Sequence, residues 1–392
     1  NTLEINIDEW VQVAGLPVGH MQFVEIAREI DKQNLKVLVF DEPTAVLTES
    51  EAANLLRSMR KIADSGICIL FITHRLDEVM EIADNITVLR DGHHVTTKRK
   101  DDTNVIELAE LMVGRKIETS SKKRLSASQT PQVALSINNF TVRMPGEEVR
   151  NLSLEVYEGE ILGIGGLAGQ GKIGIANGIM GLYPSQGDVR LRGKSLILNN
   201  PSAAIQSNLA FVSEDRRGVG LLLDSSIEKN IAVTAIQNKN TFLKKYHFFH
   251  QIDQPAIHQH ALSMIRDLDI RCTGPEQMTR RLSGGNQQKV CVARALTLDP
   301  ELLFVSEPTR GIDVGAKKLV LDTLVKLNEE LGMTIIMTSS ELAELRSVCH
   351  RIAIVSEGKI EGILRPEDSD ADYGLMMAGE YEKIHHEKEG LR

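Results

Sequence analysis

Short apolar runs set the rhythm of this chain. Val37 to Phe40 is one, with three β-branched or aromatic members, and Ile67 to Ile72 is another. Runs of this length predict strands buried on both faces of a parallel sheet. Helical spacing separates them. Phe23, Ile26, Ala27 and Ile30 fall at i, i+3, i+4 and i+7, one apolar face. Glu49 to Ala63 predicts a helix with Leu55, Leu56, Met59 and Ile62 inward. A helix over 78–83 and a strand over 86–89, turned by Asp91-Gly92, follow. Alternating buried strands and helices is the pattern of an α/β fold.

The pattern then recurs. Lys36-Val-Leu-Val-Phe-Asp-Glu-Pro-Thr44 is copied by Glu301-Leu-Leu-Phe-Val-Ser-Glu-Pro-Thr309, with Glu307 matching Glu42 at an offset of 265 residues (307 less 42). Gly66 and Gly332, Gly92 and Gly358, and Ala27-Arg28 and Ala293-Arg294 match at 266 (332 less 66). Two compensating single-residue indels account for the change. A repeat of this length implies two homologous domains. The expected division is 1–117, a polar, Ser-rich linker over 118–132, a second domain over 133–379 and a charged tail over 380–392. Residues 225–278 read as largely helical and have no counterpart in the first half.

Composition narrows the class. The 392 residues are 42% apolar and 25% charged, which fits a globular chain. A net charge of −9 argues against nucleic acid as the main partner. Cys68, Cys272, Cys291 and Cys349 are scattered, at no metal or redox spacing, as expected of reduced thiols. No apolar stretch approaches the ~20 residues that cross a bilayer.

Candidate chemistry sits at strand ends. Asp41 and Glu42 close the first acidic strand, where open α/β sheets bind ligands. Asp41 suits a magnesium ion and Glu42 an attacking water, and two solvated acids in a turn is the plain alternative. Gly166-Leu-Ala-Gly-Gln-Gly-Lys172 fits G-x-x-x-x-G-K between a strand over 160–165 and a helix. That context makes a phosphate cradle from Gly166, Gly169, Gly171 and Lys172; the alternative is an ordinary glycine-rich turn. Ser283, Gly284 and Gly285 open a helix in which Val290, Ala293 and Leu296 are spaced by three. They suit an anion or serve as a plain cap. Phe211 to Gly218, which includes Glu214, is a charged loop after a strand, and His74 follows another.

Together, Leu282-Ser-Gly-Gly-Asn-Gln-Gln288, Phe40-Asp-Glu-Pro-Thr44, Ile72-Thr-His-Arg-Leu-Asp-Glu78 and the Gly166–Lys172 loop resemble an ABC transporter ATP-binding protein. The resemblance is to the twin-cassette subunit of bacterial monosaccharide importers, of ribose and galactoside type, and covers nearly all of residues 10–380. It implies two tandem P-loop NTPase domains packed head to tail around two ATP molecules, with Mg2+ as cofactor. Asp41 then serves magnesium, Glu42 is the catalytic base and His74 the γ-phosphate contact. Gly166, Gly169, Gly171, Lys172, Glu214, Ser283, Gly284 and Gly285 bind ATP.

The same resemblance implies transmembrane permease subunits as partners and, through them, a sugar-binding protein. It places the chain on the cytoplasmic face of the membrane, without nucleic acid, and leaves open a second copy of the same subunit. A soluble cassette protein acting on ribosomes or DNA, or a non-catalytic remnant, are the competing readings. The offset puts the first cassette's phosphate loop about 94 residues before Asn1 (172 less 266), so that domain is expected to be incomplete. The second half departs from the pattern at Ile173, Ser306 and Ser340, and Pro17 stands where Ser is expected in the first signature, Leu16 to His20. Phe140 is the candidate ring for adenine.

Overall fold

The computed structural model describes residues 18–30, 32, 35–44, 49–73, 75–90, 92–113, 132–246, 249–312 and 314–379. The chain divides into two units, 1–119 and 120–392. The expected tail, the expected linker apart from Gln132, and Leu16, Pro17 and His74 lie outside the described residues.

The first unit runs α1 (Val18–Ile30), β1 (Val37–Asp41), α2 (Glu49–Asp64), β2 (Cys68–Ile72), α3 (Leu76–Ile82), β3 (Asn85–Arg90), β4 (His93–Arg99) and α4 (Val105–Val113). β1 and β2 pair in parallel, Val37 to Cys68 through Asp41 to Ile72. The α2 face expected from spacing is the one buried: Leu55, Leu56, Met59 and Ile62 are all inside. With Phe23 and Ile26 of α1, Leu55, Leu56 and Met59 cover Leu38 and Phe40. Ala27, expected on the same α1 face, is exposed.

β1 and β2 are not buried on both faces, which corrects the expectation. Burial along β1 alternates, and Val37, Val39, Leu70 and Ile72 are 53%, 55%, 55% and 47% exposed. The reason is that, among the described residues, α1 and α2 pack on one face. Period-two geometry then leaves every other side chain outside.

The second unit begins with β5 (Val133–Val142), β6 (Val149–Tyr157), β7 (Ile161–Gly165), α5 (Lys172–Ile179), β8 (Ser185–Leu191), β9 (Lys194–Ser195), α6 (Pro201–Gln206) and β10 (Leu209–Val212). It continues with α7 (Ile227–Lys239), β11 (Leu243–Tyr246), β12 (Phe249–Ile252), α8 (Gln254–Asp267), α9 (Gly284–Leu296), β13 (Leu302–Ser306) and α10 (Val314–Leu331). β14 (Thr334–Thr338), α11 (Leu342–Val348), β15 (Arg351–Ser356), β16 (Lys359–Leu364) and α12 (Asp370–Met377) complete it.

Its main sheet has the order β10-β13-β14-β7-β15-β16, parallel except for β16, and β6-β5-β8-β9 form a second, antiparallel sheet. Two cores flank the main sheet. Leu303 and Val305 of β13 join the core that holds Ile231 and Val290 of the helices. Leu302 and Phe304 join the other, with Ile175 of α5 and Leu135 of the antiparallel sheet. β13 is therefore buried at all five positions, although its sequence is a near copy of β1. Tertiary cover, not the apolar run, decides whether such a strand is two-faced.

One further correction concerns 225–278. The segment is not largely helical throughout: β11 and β12 form an antiparallel hairpin between α7 and α8. Phe242, Tyr246, Phe248 and Phe249 crowd this stretch, an aromatic density that favours strands.

Candidate functional site

The glycine-rich loop links β7 to α5 as expected, and Gly171 is the α5 N-cap at φ +98°. That left-handed conformation suits glycine. Lys172 is 1% exposed. Its Nζ donates to the carbonyls of Gly166 (3.1 Å) and Leu167 (3.2 Å). Burial pushes the ammonium pKa below its ordinary value, while the carboxylates of Glu307 and Glu147 pull it back up.

The loop's N–H groups are taken by a side chain from elsewhere. Glu147 Oε1 accepts from Gly169 N at 2.9 Å, and Oε2 accepts from Gly171 N at 2.9 Å and Ile173 N at 3.2 Å. Nothing in the sequence reading pointed to Glu147. It lies on the β5–β6 connection, 24 residues before Gly171, and no local pattern signals the contact.

The two acidic strand ends share one local design. Glu42 and Glu307 sit at φ +46° and +47°. Glu42 N donates to Ile72 O and Glu307 N to Thr338 O, each at 2.8 Å. Two residues on, Thr44 Oγ1 donates to the buried Glu78 (2.9 Å) and Thr309 Oγ1 to the buried Glu344 (2.6 Å). Thr73 and Ser339 reach the same two carboxylates, at 3.4 and 2.9 Å. The sequence repeat is thus also a repeat of hydrogen bonds. Asp41 and Glu42 are both exposed to solvent, as a metal or water site needs. In the second copy, the Ser306 hydroxyl is fully buried without a hydrogen-bond partner, and Ser340 Oγ donates to Glu307 Oε1 at 2.6 Å.

Ser283 is the N-cap of α9, with no side-chain capping bond; its exposed hydroxyl accepts from Asn286. The glycines behind it have a packing reason besides anion binding. A Cβ on Gly285 would lie 2.5 Å from that of Ala316 in α10, and one on Gly284 2.9 Å from Ile312. Glu214 is half-buried and its neighbour Ser213 donates to it at 3.3 Å. Asp215 caps the turn that follows by accepting from Gly218 N. Phe140 is not available to a base: its ring is fully buried in the core beneath the antiparallel sheet.

Two other features lie apart from this chemistry. A cleft of about 550 Å³ in the first unit is lined by Arg57, Arg60, Asp84 and Lys100, and the Arg60–Asp84 pair crosses it at 3.0 Å. In the second unit His258 Nδ1 lies 3.0 Å from Glu228 and 3.2 Å from Glu276, a clasp between α7, α8 and the loop after α8.

A parallel sheet whose central strand β7 runs through a glycine loop into a helix, with Glu307 closing β13 one strand beyond β14, defines a P-loop nucleotide-binding domain. The family described as ABC transporter matches residues 149–310. The xylose import ATP-binding protein XylG of Thermoanaerobacter pseudethanolicus is 39% identical over 383 residues, 96% of this chain and 74% of that protein. The ribose import ATP-binding protein RbsA of Clostridium tetani is 36% identical over 379 residues, 96% of this chain and 72% of that protein. The crystal structure of a nucleotide-free ATP-binding cassette from an ABC transporter superposes with a TM-score of 0.51 at 17% identity, covering 63% of this chain and 95% of that one. The chain belongs to the ABC transporter family of ATP-binding proteins.

Proposed function

We propose that this chain is the ATP-binding and ATP-hydrolysing subunit of an importer for a monosaccharide, driving a separate membrane permease. The observation that carries this is similarity over 96% of the chain to import ATP-binding proteins whose names specify xylose and ribose. No helix among the described residues is long and apolar enough to cross a membrane, so the reading needs a permease of its own. A position on the cytoplasmic face of the membrane follows from that partnership, as does a sugar-binding protein acting through the permease.

The chain reads as two tandem cassettes of unequal competence. The repeated hydrogen bonds at Glu42 and Glu307 support the tandem reading. In the first cassette Asp41 and Glu42 present adjacent, exposed carboxylates, the oxygen donors that magnesium takes. Asp41 would hold the ion, which neutralises phosphate charge when bound, while Glu42 orients the attacking water and His74 meets the γ-phosphate. Ser283, Gly284 and Gly285 contribute N–H donors and a hydroxyl to a phosphate, and Gly166, Gly169, Gly171, Lys172 and Glu214 belong to nucleotide binding in the second cassette. There the residues fit magnesium poorly. Ile173 has no side-chain oxygen to give, and Ser306 offers a neutral, fully buried hydroxyl in place of a carboxylate. Binding with little turnover is the expected behaviour of that half.

Release of phosphate from Mg-ATP by the protein taken from its native source, with and without its permease, tests the reading. Glu42→Gln should abolish turnover and Glu307→Gln should change it little. Turnover that survives Glu42→Gln and disappears with Glu307→Gln would overturn the assignment of the working half.

A further inference from the structure

We propose that Glu147 is an internal anion seated in the nest of the Gly166–Lys172 loop, competing with nucleotide phosphate for the same donors. The inference rests on reading this loop as a phosphate cradle. Three N–H groups at a helix N-terminus, from Gly169, Gly171 and Ile173, form the kind of array that holds a phosphate oxygen cluster. All three already point at one carboxylate, with both of its oxygens engaged at 2.9, 2.9 and 3.2 Å. Hydrogen bonds from amides to a charged acceptor are among the stronger ones. A triphosphate entering the loop must therefore break three of them. It must also approach a like charge.

The chain is shaped around this contact. Glu147 N donates to Met144 O at 3.0 Å, closing a turn that presents the side chain. The backbone that follows lies directly on the loop and on α5. A Cβ at position 171 would stand 2.3 Å from Glu148 O, and one at position 174 would stand 2.1 Å from Glu147 O. Gly174 is helical and needs no positive φ, so close approach is its reason. Gly171 and Gly174 thus both leave room for the 147–148 backbone, and Ile173 N donates to the carboxylate that this backbone presents. Lys172 gives Glu147 no hydrogen bond. Its ammonium donates to the Gly166 and Leu167 carbonyls, so the hydrogen bonds that hold the carboxylate come from main-chain N–H groups, with Lys172 adding charge attraction only. Glu147 is half-buried, which leaves solvent a way to exchange it out.

The experiment is equilibrium binding of ATP, inorganic pyrophosphate and adenosine to the full chain, to Glu147→Gln, to Glu147→Ala, and to each combined with Lys172→Ala. Thermal melts confirm that each variant is folded. The expected result is at least tenfold tighter ATP and pyrophosphate in both Glu147 variants, about 1.4 kcal/mol. Adenosine should be unchanged, and the gain should vanish with Lys172→Ala. Equal tightening for adenosine would overturn the proposal, because competition at the phosphates cannot produce it. ATP binding that needs Lys172 but stays within about twofold in both Glu147 variants would overturn the proposal and leave the loop's phosphate role standing. No Lys172-dependent binding in any variant would remove that role and the proposal together.

Discussion

Ser340 Oγ donates to Glu307 Oε1 across 2.6 Å, so the acid at the end of β13 is held by the residue that stands where the first half has His74. The bond is exposed, and its removal leaves the carboxylate to water. Ser340→Ala should therefore cost the second unit only about 0.5–1.5 kcal/mol in urea denaturation. A loss well beyond that range would mean that the bond organises the strand end rather than merely holding the acid.

The Thr309–Glu344 contact is a different case, because it is buried. Burial raises the Glu344 carboxyl above its ordinary value of 4.5, while the bonds from Thr309 and Ser339 pull it back. Thr309→Val should destabilise by about 1–3 kcal/mol, and Thr309→Ser by much less. The sign with pH follows from linkage. A carboxyl whose folded pKa is raised contributes stability present below the unfolded value and lost as pH rises through the folded one. Removing the Thr309 hydroxyl raises that pKa further, so the variant's deficit should be larger at pH 8 than at pH 4. An equal deficit at both would show that Glu344 is neutral throughout.

Thiol reactivity separates the four cysteines. Cys68 is exposed and Cys272 intermediate, whereas Cys291 and Cys349 are buried. Burial pushes the Cys291 thiol up to about 11. Only Cys68 and Cys272 should react with a thiol-specific reagent in the folded chain at pH 8, with the other two following on denaturation. Fast labelling of Cys291, read by mass spectrometry, would contradict the packing around α9.

The bare face of β1 and β2 should bind the dye ANS. Val39→Thr with Leu70→Thr keeps β-branched or strand-compatible residues at both positions while making the face polar. Dye fluorescence should fall by about half or more without loss of helical signal. Unchanged fluorescence would place the dye elsewhere.

Helix periodicity was legible in α2, whose inward set is where spacing put it, and at Val290 and Ala293 of α9, whereas in α1 Phe23 and Ile26 are buried and Ala27 is not. The acidic strands were legible as strands, because apolar runs fix the element. Their burial was not, since Val39 and its counterpart Phe304 have the same local context and opposite exposure. The β11–β12 hairpin was hidden by the helices on either side of it. The glycine loop is legible as a set of N–H donors, which Gly169, Gly171 and Ile173 are, but sequence patterns report donors and not their partners. Glu147 reaches them across 24 residues of chain, through a turn that looks like any other. Phe140 failed for the reverse reason: an aromatic in an amphipathic strand is core unless something holds it out.

Glu42 and Glu307 are both held in a left-handed conformation, and this has a consequence for how the sequence can drift. A residue with a Cβ at such a position costs about 1–2 kcal/mol that glycine would not. Glu42→Gly or Glu307→Gly would therefore relax the backbone and raise the melting temperature by a few degrees. A glutamate codon is one base from a glycine codon, so the more durable chain is always a single step away. The strand end at Glu42 is thus a place where selection for persistence and selection for a carboxylate pull in opposite directions.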